Sequence, residues 1–233
     1  MAEPPSEAEE LTFASFWDKR YQDGGADTSN TQPTHEWFRG FESLKPWLSK
    51  YLFDARPAET APLILHLGCG DSTVPHGLYV SGYTHQICVD FSTVVIKQMA
   101  EKFAMDTGIE WKYADVRELP EPDRSVDVAF DKGTLDAMIF GSPWSPPETV
   151  KENTGRYMDE VTRVLKDDGV FLYVTYRQPH FVKPLLNRDE RWDLIVETLS
   201  DGEGSFDYFA FVLKKKLQLD LIQRLPLDTV EAQ

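Results

Sequence analysis

From residue 63 onward the chain alternates short apolar runs with longer stretches that are apolar along one side only, and this alternation limits the fold more than any other feature. The runs Leu63–Leu67, Gln86–Asp90, Glu110–Tyr113, Val126–Phe130 and Val170–Tyr176 predict strands, and the stretches 73–81, 92–106 and 152–166 predict helices. Val95, Met99 and Phe103 recur at i, i+4 and i+8, as do Tyr157, Val161 and Leu165, so each helix has one stripe to lay on a sheet. Strand, helix and strand in repetition require parallel pairing through right-handed crossovers. The rhythm stops in the last third, where "RWDLIVETL" and "FDYFAFVLKKK", parted by the turn-rich "SDGEGS", predict an antiparallel hairpin. The expected architecture is therefore α/β: a five-stranded parallel sheet closed by two antiparallel strands, with helices on both faces.

The first strand runs straight into "GCGDS", Gly68 to Ser72. Glycine lets a backbone turn sharply and approach a ligand with no Cβ in the way. In open α/β sheets, ligands sit beyond the carboxyl ends of the strands, and the helix that follows presents free N–H groups there. Position 73 is Thr73, so the third glycine of the dinucleotide fingerprint is missing and a pyrophosphate is not favoured. Asp90 ends the second strand 20 residues beyond Gly70, where an acid accepts ribose hydroxyls, and Asp115 follows the third strand, placed to receive an amino group such as that of adenine. A nucleoside without pyrophosphate fits these positions.

Composition bounds the partners. The 233 residues suffice for one domain, and 41% hydrophobic residues suit a soluble fold without a run long enough to span a bilayer. Residues 1–10 are acidic and proline-bearing, with no basic start or apolar stretch, which predicts a disordered N-terminus rather than a targeting signal and a cytosolic or nuclear location. A helix is expected from Leu11 to Tyr21, a loop over "QDGGADTSNTQPT", and a second helical stretch with Phe41, Leu44, Leu48 and Leu52 in register. Cys69 and Cys88 form neither a disulfide framework nor a zinc spacing, and no metal site is expected. The formal charge of −15, with no Lys/Arg stripe, disfavours nucleic acid and suits a basic protein partner.

The segments "FWDKRY", "HEWF", "LGCGDS", "VDFSTVVIKQM", "ADVRELP", "FDKGTLDA" and "VTRVLKDDGVFLYVTY" resemble the class I, seven-strand methyltransferases that use S-adenosylmethionine. Within that class they are most similar to the elongation-factor-1A lysine methyltransferases and their methyltransferase-like relatives. The resemblance implies a Rossmann-like sheet in a single domain over 11–216, an N-terminal segment over 11–55 that covers the cofactor, and a tail over 217–233 with no clear counterpart. It implies cofactor contacts from Trp17, Tyr21, Trp37, Gly68, Cys69, Gly70, Asp90, Phe91, Asp115, Val116, Asp131 and Lys132. It also implies S-adenosylhomocysteine as the product, a protein-lysine acceptor on translation elongation factor 1A, and a cytoplasmic enzyme, which we expect to be a monomer.

Methyl transfer needs alignment above all, since orientation alone is worth up to about 7–11 kcal/mol. This accounts for the lack of any triad or metal cluster. Asp131, at the end of the fourth strand, is the expected positioner of an acceptor amine, and Tyr176 and His180, after the fifth strand, lie on the expected acceptor side. Asp136 reads as a helix-surface or capping residue, His66 as a buried hydrogen-bonded one, and Trp47 and Trp192 as core anchors. Small-molecule methylation and a non-catalytic cofactor-binding scaffold remain as alternatives. Adenine N6 methylation and nicotinamide chemistry fit less well, because "FDKGT" replaces an Asn-Pro-Pro-aromatic motif and the third glycine is absent.

Overall fold

In a computed structural model that describes residues 6–23, 36–187, 189–200 and 206–216, the helices α1 (Glu7–Glu10), α2 (Ala14–Gln22) and α3 (Phe41–Leu48) precede the sheet. There follow β1 (Ile64–Leu67), α4 (Val74–Val80), β2 (Gln86–Asp90), α5 (Thr93–Lys102), β3 (Ile109–Tyr113), β4 (Val126–Lys132) and α6 (Thr134–Ala137). The chain continues with α7 (Glu148–Val164), β5 (Leu165–Thr175), α8 (Pro179–Leu186), β6 (Trp192–Leu199) and β7 (Tyr208–Lys215). The sheet order is β3-β2-β1-β4-β5-β7-β6. Strands β1 to β5 pair in parallel, and β7 runs antiparallel to both β5 and β6. This is the expected seven-stranded, Rossmann-like sheet.

Strand periodicity divides the core into two layers. Phe171 and Tyr173 of β5, with Phe209, Phe211 and Leu213 of β7, face one side, where Tyr157, Val161 and Val164 of α7 cover them. Val170, Leu172 and Val174, with Ala210 and Val212, face the other, against Leu44, Trp47 and Leu48 of α3 and Val74 and Leu78 of α4. Trp47 and Trp192 are both buried, as expected of anchors.

Three local expectations change. Ser6 Oγ accepts from Glu9 N and starts a helical turn at Glu7–Glu10, so part of the expected disordered N-terminus is ordered; residues 1–5 lie outside the described residues. The expected helix 152–166 begins at Glu148 and yields directly to β5 at Leu165, which pairs with Val126. Helix α8 was not predicted, because Pro179 and Pro184 interrupt its pattern; Pro179 stands in the first turn, where its missing N–H costs nothing. The loop at 24–34, most of "SDGEGS" and the tail over 217–233 lie outside the described residues.

The strand order reverses between β1 and β4, and the two loops leaving those strands are tied together. Thr134 Oγ1 donates to the carbonyl oxygens of Leu67 (2.7 Å) and Gly68 (3.0 Å). Gly68 has φ +60°, and a Cβ there would lie 2.2 Å from Thr134 Oγ1, so the close approach requires glycine. We predict that Gly68→Ala costs about 1–3 kcal/mol through strain and displacement of Thr134, lowering Tm by about 2–10 °C. Calorimetric melting checks this, and an unchanged Tm would contradict it.

Candidate active site

At the reversal lies a cleft of about 690 Å³, within the range of small-molecule sites. Its wall brings together Trp17, Tyr21 and Trp37 from the N-terminal segment, Gly68, Cys69 and Gly70 after β1, and Asp90 and Phe91 after β2. Asp115 and Val116 after β3, Lys132 of β4 and Tyr176 after β5 complete the predicted set that lines it. Asp131 and His180 do not line it.

Asp90 is buried, and its carboxylate is fixed by two backbone donors: Ser92 N to Oδ1 and Gly70 N to Oδ2, both at 2.9 Å. Each oxygen keeps a further lone pair, the arrangement that two neighbouring ribose hydroxyls would meet. Burial raises the Asp90 pKa to about 6 against these donors, with Asp18 and Asp71 adding to the rise. Gly70 has φ +52°, and a Cβ there would lie 2.9 Å from the Tyr21 hydroxyl, so the turn has room only for glycine. Burial, with Asp90 and Asp71 nearby, also raises the Tyr21 phenol pKa and keeps it neutral. Asp115 reaches the cleft, but Arg117 clasps its carboxylate through backbone N (2.8 Å), Nε (2.9 Å) and Nη2 (2.6 Å). Burial works to raise the Asp115 pKa, and the Arg117 bonds outweigh it, leaving the carboxyl below its usual range. Cys69 and Cys88 are buried free thiols, and burial pushes that of Cys69 up.

Lys132 is neither solvated nor free. Its Nζ pairs with Glu36 Oε1 at 2.7 Å and donates to the Trp37 carbonyl at 2.8 Å. Glu36 accepts in addition from Ser72 Oγ (2.7 Å), Thr73 N (2.8 Å) and Thr73 Oγ1 (2.6 Å). Burial works to raise the Glu36 pKa, but Lys132 and these donors lower it below the ordinary value. The segment carrying Trp37 is thereby latched to both the β1 and the β4 loops. Sequence reading missed Glu36; the signal was an acid beside "WF" ahead of a glycine turn with two unclaimed hydroxyls, Ser72 and Thr73.

The acceptor side needs correcting. Asp131 is fully buried, and its carboxylate accepts from Thr134 N (2.8 Å), Leu135 N (3.0 Å) and the Tyr157 hydroxyl (2.6 Å), holding the start of α6. Burial pushes it up to about 7. It does not line the cleft. Asp136, expected on a helix surface, instead borders the cleft and is buried, accepting from Tyr173 (2.7 Å) and Thr175 (2.6 Å), with its pKa raised by burial to about 6. His180 lines a separate cavity with Trp144 and Phe181, because α8 carries it away from the carboxyl end of β5. His66 is buried against Gln86 Oε1 (2.7 Å), and burial lowers its pKa to about 4, so it is a neutral core residue.

The curated relatives decide the family. EEF1A lysine methyltransferase 4 from Mus musculus is 32% identical over 226 residues, covering 94% of this chain and 83% of the relative. The protein of that name from Bos taurus is 32% identical over 211 residues, covering 89% and 77%. The chain belongs to the EEF1A lysine methyltransferase family. A family pattern described as "Methyltransferase domain" also matches residues 65–173, from β1 to within β5. Among solved structures, the 1,6-didemethyltoxoflavin-N1-methyltransferase of Burkholderia thailandensis, with bound S-adenosylhomocysteine, shares the fold. Its TM-score is 0.59 at 15% identity, covering 93% of this chain and 94% of that one. The [4+2]-cyclase SpnF shares it too, with a TM-score of 0.61 at 12% identity, covering 93% and 100%, so the fold by itself does not name the reaction.

The chain is thus an S-adenosylmethionine-dependent methyltransferase, and the cleft residues fit that cofactor. Gly68 and Gly70 line the cleft in a turn where a Cβ would meet Thr134 or the Tyr21 hydroxyl, and Asp90 presents two acceptors beside it. Among the described residues no cluster of three His, Cys, Asp or Glu is placed to hold a metal ion. We predict that cofactor affinity falls as pH drops through about 6. The ionised Asp90 accepts the ribose hydroxyls, so binding favours the charged form, and protonation of the free protein competes with it. Asp90→Asn should cost about ten- to a hundredfold in affinity and flatten that profile. Isothermal titration of S-adenosylhomocysteine between pH 5.2 and pH 8, on the order of the range where Asp90 titrates, checks both; a flat wild-type profile would remove Asp90 from ribose binding.

Proposed function

We propose that the protein transfers methyl groups from S-adenosylmethionine to a lysine side chain of translation elongation factor 1A, as a cytoplasmic monomer. The observation that carries this is identity of 32% to a relative named for that activity, sustained over 94% of this chain and 83% of the relative. The cofactor-facing residues in this reading are Trp17, Tyr21, Trp37, Gly68, Cys69, Gly70, Asp90, Phe91, Asp115, Val116 and Lys132. No described helix is long and apolar enough to cross a membrane.

When bound, the cofactor supplies an electrophilic methyl carbon on a cationic sulfur. The chain's own work is binding, alignment and exclusion of water. Trp17 and Tyr21 stack with ring centroids 6.0 Å apart, and Trp37 meets Trp17 edge-on at 6.2 Å, forming an aromatic wall suited to a cation. The acceptor amine must be neutral to attack, and its ordinary pKa near 10.4 falls when an apolar wall desolvates it. Tyr176 is the one acceptor-side candidate from the sequence that lines the cleft. Asp136 braces Tyr173 and Thr175 beneath that wall.

The net charge of −15 favours encounter with a basic substrate. With purified elongation factor 1A and isotopically labelled cofactor, we predict label on one lysine, loss of label on Lys-to-Arg replacement there, and slower capture as salt rises. Label confined to small molecules, or to another protein, would overturn the substrate assignment.

A further inference from the structure

A second cavity, of about 480 Å³, opens between the first turns of α7 and α8, at the same end of the sheet as the cleft. Trp144 and Phe181 form its wall, edge to face with ring centres 4.8 Å apart, and the His180 ring lies 6.1 Å from Trp144. Trp144 is 80% exposed. Tryptophan is highly buried on average, and at protein contacts it is among the residues that carry most of the binding energy.

The loop that displays Trp144 is held at both ends. Arg177 Nη2 donates to the carbonyls of Asp136 (3.1 Å) and Ile139 (2.6 Å), which fixes the chain as it leaves α6. At Gly141 φ is +75°, and a Cβ there would come within 3.0 Å of Pro147, the residue that leads into α7. Pro143, Pro146 and Pro147 lock φ between those points. An indole presented on so stiff a loop loses little freedom when a partner covers it.

Chain length bounds what can reach this groove. Tyr176 at the cleft and His180 in the groove are four residues apart, so their Cα atoms lie within about 14 Å, the span of four or five extended residues. A polypeptide whose side chain enters the cleft therefore carries its own neighbouring residues across the groove. Charge narrows the occupant further. Lys151 on the rim is taken by Glu148 at 3.3 Å, whereas the exposed Glu152 pairs with none of the described residues. A cationic side chain laid on Trp144 and bonded to Glu152 answers both, since tryptophan is the strongest cation–π partner among the side chains. A second copy brings another net charge of −15, and residues 217–233 carry Asp220, Asp228 and Glu231 against Arg224, so both meet repulsion there.

We propose that this groove docks the segment of the protein acceptor beside the target lysine, through a lysine or arginine about four or five residues away from it. This rests on the lysine-methyltransferase reading. The cleft then selects the side chain to be methylated, and the groove selects the sequence around it.

Two measurements test the groove. Trp144→Ala and Glu152→Lys should each raise KM for purified elongation factor 1A by about fivefold or more, with kcat and calorimetric S-adenosylhomocysteine affinity unchanged. Alanine in place of the flanking basic residue of the acceptor should raise KM for the wild type and add little for Trp144→Ala. Variants that keep the wild-type KM would overturn the proposal. Independently of any acceptor, the Trp144 indole N–H signal in NMR, identified by its loss in Trp144→Ala, should shift as an Arg-Gly-Arg amide peptide is added, and shift less in Glu152→Lys. No shift, as when the tail already fills the groove, would overturn the proposal. So would a signal that moves when the protein alone is diluted, which would assign the groove to a second copy. A shift with no label on the factor would retain the groove and sink only the elongation-factor reading.

Discussion

The ion pair between Glu36 and Lys132 governs the site. It joins a residue from ahead of the sheet to the last residue of β4 at 2.7 Å, with the Lys132 side chain only 5% exposed. Glu36 simultaneously takes the free N–H of Thr73 and the hydroxyls of Ser72 and Thr73. One carboxylate therefore fixes three parts of the cleft: the glycine loop, the end of β4 and the aromatic segment. With the ammonium enclosed, losing either partner leaves an uncompensated charge, which costs about 3–5 kcal/mol in buried pairs. The positions of Trp37 and Phe38, next to Glu36 in sequence, follow from that bond.

Around this latch lie three buried acids that serve different ends. Asp90 and Asp136 border the cleft, whereas Asp131 sits behind it and holds the start of α6. Burial raises all three, to about 6 for Asp90 and Asp136 and about 7 for Asp131. Their folded state therefore binds more protons than the unfolded chain between about pH 4 and 7, and their combined contribution to stability falls as pH rises through that window. The site keeps its carboxylates where chemistry or architecture uses them, at a cost in stability that the two core layers offset.

Much of this was legible in the sequence because its signals are local. The strand and helix periods produced the sheet, and an acid 20 residues after Gly70 marked Asp90, since the end of a parallel strand and its following turn are fixed by neighbouring residues. What escaped depends on contacts distant in sequence. Asp131 and Asp136 are five positions apart at one strand end, and only the packing of Tyr157, Tyr173 and Thr175 decides which of them reaches the cleft. His180 follows the fifth strand as expected, yet a helix disguised by two prolines turns it into another cavity. Phe38 carried no sequence signal at all, because a left-handed phenylalanine contradicts local preference and is held only by its surroundings.

The most direct test of the latch is equilibrium binding of S-adenosylhomocysteine to Lys132→Met, with circular dichroism showing that the sheet is retained. If the Glu36 pair holds the aromatic segment over the cofactor, affinity falls by about tenfold or more, because part of the binding energy must reorder that segment. A folded variant that binds within about twofold of wild type, a difference of under about 0.5 kcal/mol, would contradict the account.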